Sequence, residues 1–519
     1  MTDLSDLIKA GLAGCELQFL PETMPVSAEV LAGVGEKRFS DKAESSRLGL
    51  IMTNDRPTVE SLLGAVLAGV AVVSLPLPSR GADLAEYVGF IHEACRDNGV
   101  GEVVARDDVA ALLSEAGVPA RGHGEIGSSH LASPSATGFS LTQFSSGSTG
   151  SPKGVTLSDE KLGANVAAII SRVNPSPGDV TVSWLPLSHD MGLIGMLLTS
   201  IASCGPAWVG YGSVALIMPA QFLRRPGVWM EAVGHLKGTF TAAPDFGYRM
   251  ATRYGATSYD LSSLRCAIVG GEIVRHETLQ EFSEAFFGSG FEDVAICPAY
   301  GLSEVGLAIS LTSPLDRYRL YAPDDRAYLR PLGHTLAASF VSSGPVLDGY
   351  TVRISDIGEP DLGNIQIHGP SIGVESSTGV PLADGEGWLS TGDYGLFDED
   401  WLYVCGRTDD YFVANGRKIY APKIEEGVGR VSGVRAGRVT AVGLTSGDWA
   451  LAVEHRSVND LSDDEVKRFE REVRHAAVAS VGVEPSLVVV LPKGALPLTA
   501  SGKLQRHSVR RHVESGAWL

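Results

Sequence analysis

Leu141-Thr-Gln-Phe-Ser-Ser-Gly-Ser-Thr-Gly-Ser-Pro-Lys-Gly-Val155 sets a run of glycines and hydroxyls at the end of an apolar stretch and closes it with a lysine. Gly147 and Gly150 allow backbone N–H groups to converge on an anion, and Ser145, Ser146, Ser148 and Thr149 supply hydroxyl donors. Lys153 adds a point charge. The segment therefore reads as a loop built to cradle phosphate. The G-x-x-x-x-G-K-[ST] spacing of a Walker loop does not fit it. A strand that ends in such a loop belongs to α/β architecture, so the neighbouring sequence should alternate apolar strands with helices.

It does so on both sides. Leu62 to Leu77 is apolar enough to suggest a membrane span, but Gly64, Gly69 and Ser74 divide it into a helix-like part and a strand-like part ending at Pro76. Val180 to Pro186, Cys266 to Val269 and Val294 to Cys297 are short apolar strands, each running into a turn. From about Val352 the pattern shifts to short strands with polar turns, as in Tyr350-Thr-Val-Arg-Ile and Asn364-Ile-Gln-Ile-His, which predicts a β-rich subdomain over 345–406. Beyond Arg407, helix-like Ser462 to Ala476 and strand-like Leu487 to Leu491 suffice for a small α+β domain. The predicted division is 1–406 and 407–519.

Composition narrows the function classes. The 519 residues carry 42 Lys and Arg against 61 Asp and Glu, a formal charge of −19, which disfavours nucleic acid as a partner. With 44% hydrophobic and 20% charged residues the chain is globular, and disorder and collagen-like repeats are excluded. Cys15, Cys95, Cys204, Cys266, Cys297 and Cys405 are scattered without a C-x-x-C pair, so they read as apolar residues in a reducing compartment. The acidic start, Met1-Thr-Asp-Leu-Ser-Asp, is unlike a secretory signal, and no run reaches the ~18 apolar residues of a membrane span. A cytoplasmic location is expected.

Seven further segments follow the glycine-hydroxyl loop. They are Trp184-Leu-Pro-Leu-Ser-His-Asp-Met-Gly-Leu193, Val269-Gly-Gly-Glu272, Ala299-Tyr-Gly-Leu-Ser-Glu304, Leu389-Ser-Thr-Gly-Asp393, Cys405-Gly-Arg-Thr-Asp-Asp410, Asn415-Gly-Arg-Lys-Ile-Tyr-Ala-Pro-Lys-Ile-Glu425 and Leu498-Thr-Ala-Ser-Gly-Lys503. In this order over most of the chain, they resemble the adenylate-forming superfamily of acyl-CoA synthetases, adenylation domains and luciferases. Trp184 to Gly195 and Phe222-Leu-Arg-Arg-Pro-Gly-Val-Trp229 are most similar to the fatty acyl-AMP ligases within it. The segment Ser313 to Ser342 is where that group's insertion would fall.

The resemblance implies ATP, Mg²⁺ and a carboxylic acid as reactants, acyl-AMP and pyrophosphate as products, and then transfer to the phosphopantetheine thiol of an acyl carrier protein, in lipid or natural-product biosynthesis. An acid attacking the α-phosphorus brings two anions together, so the site must supply cations and hydrogen-bond donors. By resemblance Lys503 is the decisive cation, and Glu304 is the Mg²⁺ ligand with the Ser303 hydroxyl on the α-phosphate side. Asp393 would accept from the ribose hydroxyls with support from Arg407. Gly270, Gly271, Glu272 and Gly301 would line the adenine slot, with Tyr300 stacked on the base. His189 and Asp190 would stand at the mouth of the acyl pocket, and Gly271, Asp245 and Phe246 would wall it. Asp409 corresponds to a hinge about which the C-terminal domain swings, exchanging Lys503 for a face that carries Gly416.

One departure bears on the substrate. In Ala242-Ala-Pro-Asp-Phe-Gly-Tyr248, fatty acyl-AMP ligases tend to have Asn where Asp245 stands, and a carboxylate in a hydrocarbon pocket is costly unless paired. A substrate ammonium, as in a β-amino acid, is one partner; backbone hydrogen bonding, as Asn would provide, is the other reading. Gly369-Pro-Ser-Ile-Gly373 matches G-x-S-x-G but leads into a turn-like stretch, so it lacks the helix a nucleophile elbow needs. The pair Arg224-Arg225 reads as a solvated helix face. Alternatives left open are an acyl-CoA synthetase using free CoA, an enzyme that activates a non-acyl oxyanion, and a non-catalytic nucleotide-binding protein.

Overall fold

The helix-then-strand reading of Leu62 to Leu77 shows how local signals set the elements. Asp55 caps the helix Arg56–Ala68 by accepting from the Thr58 N–H, Pro57 occupies its first turn, and Gly69 ends it at φ +69°. The strand Ala71–Leu75 follows at once. In this computed structural model, residues 2–518 are described except 23, 40–46, 79–83, 126–130, 146–152, 209, 255–258, 322–339, 356–361, 415–416 and 498–503.

Among the described residues the chain builds two large α/β sheets, a six-stranded antiparallel sheet and two small C-terminal sheets. In the eight-stranded sheet the consecutive neighbours Ile296–Gly301, Cys266–Val269, Phe240–Ala243 and Asp179–Ser183 all run parallel. Their carboxyl ends therefore share one edge. The seven-stranded sheet carries Arg47–Ile51, Ala71–Leu75 and Ser140–Ser145 in parallel, and Ser140–Ser145 returns antiparallel through Lys153–Ser158. This is the expected α/β class with a β-rich sheet and an α+β C-terminal part.

The six-stranded sheet starts earlier than its sequence pattern suggests, because Phe340–Pro345 pairs with Trp401–Arg407. Its buried positions include the polar residues Ser342 and Ser343. Both are satisfied inside: Ser342 accepts from the Arg319 N–H at 2.8 Å, and Ser343 donates to the Leu402 carbonyl at 3.0 Å. After Phe412 the apolar residues pack among themselves, around Trp449, Leu451 and Phe469 on one face of the small sheet and Val489 and Val509 on the other. The helix Asp463–Val481 begins with a reciprocal Ser462–Glu465 capping box.

Candidate adenylating site

Four strand ends bring four of the sequence segments together. Ser183 leads into Trp184 to Asp190, Ala243 into Asp245 and Phe246, Val269 into Gly270 to Glu272, and the strand Ile296–Gly301 into Ser303 and Glu304. In a parallel sheet the carboxyl edge is where ligands bind, most of all where strand order reverses. Here the chain passes from Asp179–Ser183 to Gly212–Ile217 on one side and then returns to Phe240–Ala243 on the other. That reversal lies between His189 and Asp245.

Backbone shape explains the glycines at this edge. Gly271 has φ +76°, a conformation that favours glycine. A Cβ on Gly270 would stand 2.8 Å from the Ala299 carbonyl, and one on Gly301 only 1.6 Å from the Leu307 carbonyl. Adjacent strand ends approach too closely for side chains there. Glu272 accepts from the Phe246 N–H at 2.7 Å, so its carboxylate tethers the next strand's loop.

Around Glu304 the polar residues converge. Ser303 is buried and its hydroxyl donates to Glu304 Oε2 at 3.3 Å. Burial raises the Glu304 carboxyl above its ordinary value. Ser303 and Arg407 oppose the shift, while the nearby Asp190 carboxylate adds to it. Asp190 accepts from the Met191 N–H at 2.7 Å and from His189 Nδ1 at 2.9 Å, and it caps the π-helical turns of Met191–Leu198. The His189 side chain is 51% exposed.

Asp393 and Arg407 face each other across the antiparallel pair Leu389–Asp398 and Trp401–Arg407, with the charged atoms 3.7 Å apart. Tyr300 donates its hydroxyl to Asp393 Oδ2 at 2.6 Å. Burial, and then the Asp393 carboxylate, push the Tyr300 phenol well above its usual range. Asp393 thus already accepts from one hydroxyl donor. Tyr300 is anchored through that bond.

The residues around Asp245 are aromatic. Trp184 stacks on Phe222 at 3.7 Å, and Phe246 and Trp229 meet Trp184 edge-on at 6.0 Å. A Cβ on Gly247 would stand 2.8 Å from the Trp184 ring. Asp245 is 1% exposed, and its charge is met inside the protein. One oxygen accepts from the Arg275 N–H at 3.0 Å, and the other lies 3.0 Å from Arg249 Nε as an ion pair.

Two residues at this site were missed in the sequence. Asn54 is buried after the strand Arg47–Ile51. Its amide donates to the Leu185 and Ile217 carbonyls at 2.9 and 3.0 Å, and its oxygen accepts from the Leu187 N–H at 3.0 Å. It holds the segment that carries His189 against the other sheet. Asn165 fixes the loop after Glu304 in the same manner, accepting from the Leu307 N–H and donating to the Ala308 carbonyl. An amide in an apolar run, as in Ile51-Met-Thr-Asn54, was the available signal.

Of the other sequence candidates, Ser145 ends one strand and Lys153 opens its antiparallel partner in register with it. Ser146, Gly147, Ser148, Thr149 and Gly150 lie outside the described residues, as do Gly416, Lys503, the Asp409 side chain and most of Ser313 to Ser342. Gly369 to Gly373 is no nucleophile elbow. Ser371 is buried, it donates to the Val305 carbonyl, and the short strand Val374–Glu375 follows. Arg225 closes a bidentate pair with Glu231 at 2.7 Å.

The family match and the fatty acyl-AMP ligase relatives, with Asp190, Ser303, Glu304, Tyr300 and Asp393 gathered near the strand ends, define an ATP-dependent acid ligase that forms acyl-AMP. The chain belongs to the AMP-binding enzyme family, whose model matches residues 42–374. It is 30% identical to the long-chain-fatty-acid–AMP ligase FadD32 of Mycobacterium marinum, over 72% of this chain and 68% of that one. To FadD26, a ligase of the same description from M. marinum, it is 29% identical over 91% and 88% of the two chains. A structure from work on fatty acyl-adenylate ligases of E. coli and L. pneumophila superposes with TM-score 0.85 at 25% identity, covering 100% of this chain and 98% of that one. McyG A-PCP with phenylalanyl-adenylate, at 20% identity and TM-score 0.79 over 99% and 83%, shares the fold. Among the described residues no helix is long and apolar enough to cross a membrane.

Proposed function

We propose that the chain activates a fatty acid as its acyl-AMP and passes the acyl group to the phosphopantetheine thiol of a carrier protein. The observation that carries this reading is the carboxyl-edge cluster of His189, Asp190, Ser303, Glu304, Tyr300 and Asp393 beside the Trp184–Phe222 wall. An apolar wall suits a hydrocarbon chain. With Asp245 already neutralised by Arg249 and the Arg275 N–H, an amino group on the substrate is not needed to offset that carboxylate. The names of the FadD relatives point the same way.

In this reading the acid's carboxylate lies near His189 and the nucleotide lies along the strand ends. Asp393 accepts from the ribose hydroxyls, and Arg407, beside it, offsets phosphate charge. Lys153 and Lys503 complete the positive field that the in-line displacement needs. Mg²⁺ fits the donor set: Glu304 is a hard oxygen ligand whose ionised form is penalised by burial and by Asp190, a penalty that a divalent cation relieves. Bound there it would screen phosphate charge. Among the described residues no group of three or more acidic, His or Cys side chains gathers to enclose a metal.

The acceptor is tested by supplying the purified enzyme with ATP, a fatty acid and either a holo-acyl carrier protein or free CoA. Thioester on the carrier alone supports the reading. Thioester on CoA alone makes the chain an acyl-CoA synthetase.

A further inference from the structure

The residues around Asp409 are anchored in opposite directions. Before it, Thr408 donates its hydroxyl to the Gly392 carbonyl at 2.9 Å, and the Arg407 guanidinium lies 3.7 Å from Asp393, so both belong to the nucleotide side. After it, Asp410 Oδ1 accepts from Arg506 Nε at 2.8 Å. The same guanidinium reaches Glu425 with both terminal nitrogens, one at 2.9 Å, and Glu425 also accepts from the Ala441 N–H at 2.9 Å. One largely buried arginine thus joins the residue following the hinge candidate to the helix Ala421–Gly429 and the strand Val434–Gly443.

Arg506 also opens the helix Arg506–Glu514 at the base of the segment that carries Lys503. That base is closed by the Gln505 N–H on the Pro497 carbonyl at 3.0 Å, and it is tied down by the Leu496 N–H on buried Glu454 at 2.9 Å. Asp410 has a second tie: its Oδ2 accepts from the Arg407 N–H at 2.9 Å, across Asp409. The carboxylate therefore spans the hinge position, with Arg506 holding it from the C-terminal side.

We infer that Arg506 is a positioning residue: its guanidinium clamps Asp410 and Glu425 together, so that the linker end and the base of the lysine-bearing segment move as one body about Asp409. A planar fork that serves two carboxylates at once is a task for arginine, and lysine can satisfy only part of it. Breaking the clamp leaves two carboxylates without their cation and lets the base of the segment drift. A displacement of about 1 Å costs on the order of a hundredfold in rate.

This inference rests on the adenylating reading, so the test has one arm that needs activity and one that does not. Arg506→Gln, Asp410→Asn, the double variant and Arg506→Lys are made in the full chain. In acid-dependent ATP–pyrophosphate exchange, both single variants should lose about a hundredfold in kcat with the KM for ATP within about threefold. The double variant should be no slower than either single one, and Arg506→Lys should fall between. Under limited trypsin, both single variants should be cut after Arg407 about tenfold faster than the wild type. Multiplying effects in the double variant, a raised KM at unchanged kcat, or wild-type exchange would overturn the inference. If Arg506→Gln does not fold, Asp410→Asn decides by the same criteria. If the wild type exchanges with no acid, the adenylating reading fails instead, and the trypsin comparison alone decides the clamp, with unchanged cleavage overturning it.

Discussion

Asp245→Asn separates a structural carboxylate from a substrate-binding one. Asn keeps an acceptor for the Arg275 N–H, now 3.0 Å from Asp245, and gives up the charge opposite Arg249. Removing one member of a sealed ion pair costs about 3–5 kcal/mol, because the other charge is stranded. Arg249 is not sealed in: its side chain is 37% exposed, and water takes up much of the guanidinium. The expected loss is therefore about 1–2 kcal/mol for Asn, rising to about 2–4 kcal/mol for Ala, which also leaves the Arg275 N–H without its acceptor. Urea unfolding of the three proteins gives these values. Exchange kinetics with fatty acids should stay within about threefold of wild type for Asn, since no substrate atom depends on the charge. A hundredfold fall in kcat/KM for Asp245→Asn at unchanged stability would refute this reasoning and return Asp245 to the substrate.

Other consequences follow from the same geometry. Burial raises the Glu304 carboxyl, so the folded protein binds that proton more tightly than the unfolded chain does, and stability falls as pH rises through the raised value. Glu304→Gln should therefore be more stable than wild type at pH about 8, with the difference vanishing below pH about 4, where glutamate is protonated in both states, while exchange activity drops at least about tenfold. Urea midpoints at the two pH values check the first part. Gly247→Ala would place a methyl 2.8 Å from the Trp184 ring and 2.9 Å from the Ala243 methyl, behind a ring already stacked on Phe222. It should cost about 1–3 kcal/mol and shift exchange toward shorter acids, read from a chain-length series. Lys503→Ala should lower exchange about 10²- to 10³-fold, since a cation at developing phosphate charge contributes a few kcal/mol.

Much of the fold was legible because its strands are short apolar runs bounded by glycine or proline, and the family was legible because its chemically distinctive segments come in a fixed order. Cys266–Val269 and Leu487–Leu491 coincide with the sequence reading, and Ala71–Leu75 falls inside it. Contacts between distant parts of the chain were not legible. Tyr300 and Asp393 are 93 positions apart and Arg506 and Asp410 are 96 apart, so neither spacing nor periodicity could join them. Nor could residue type reveal that Asp245 already had a partner, since Arg249 one helical turn away is a common surface pattern. The strand Phe340–Pro345 escaped because only Phe340 and Val341 of its buried residues are apolar, and the serines that follow are tolerated in a core only when each finds a partner there.

Incorporation of labelled pyrophosphate into ATP, measured with the purified chain and a series of fatty acids of increasing length, tests the central claim most directly. The account predicts exchange that requires both Mg²⁺ and an acid and is strongest for one range of chain lengths. ATP binding without acid-dependent exchange for any acid in the series would contradict it.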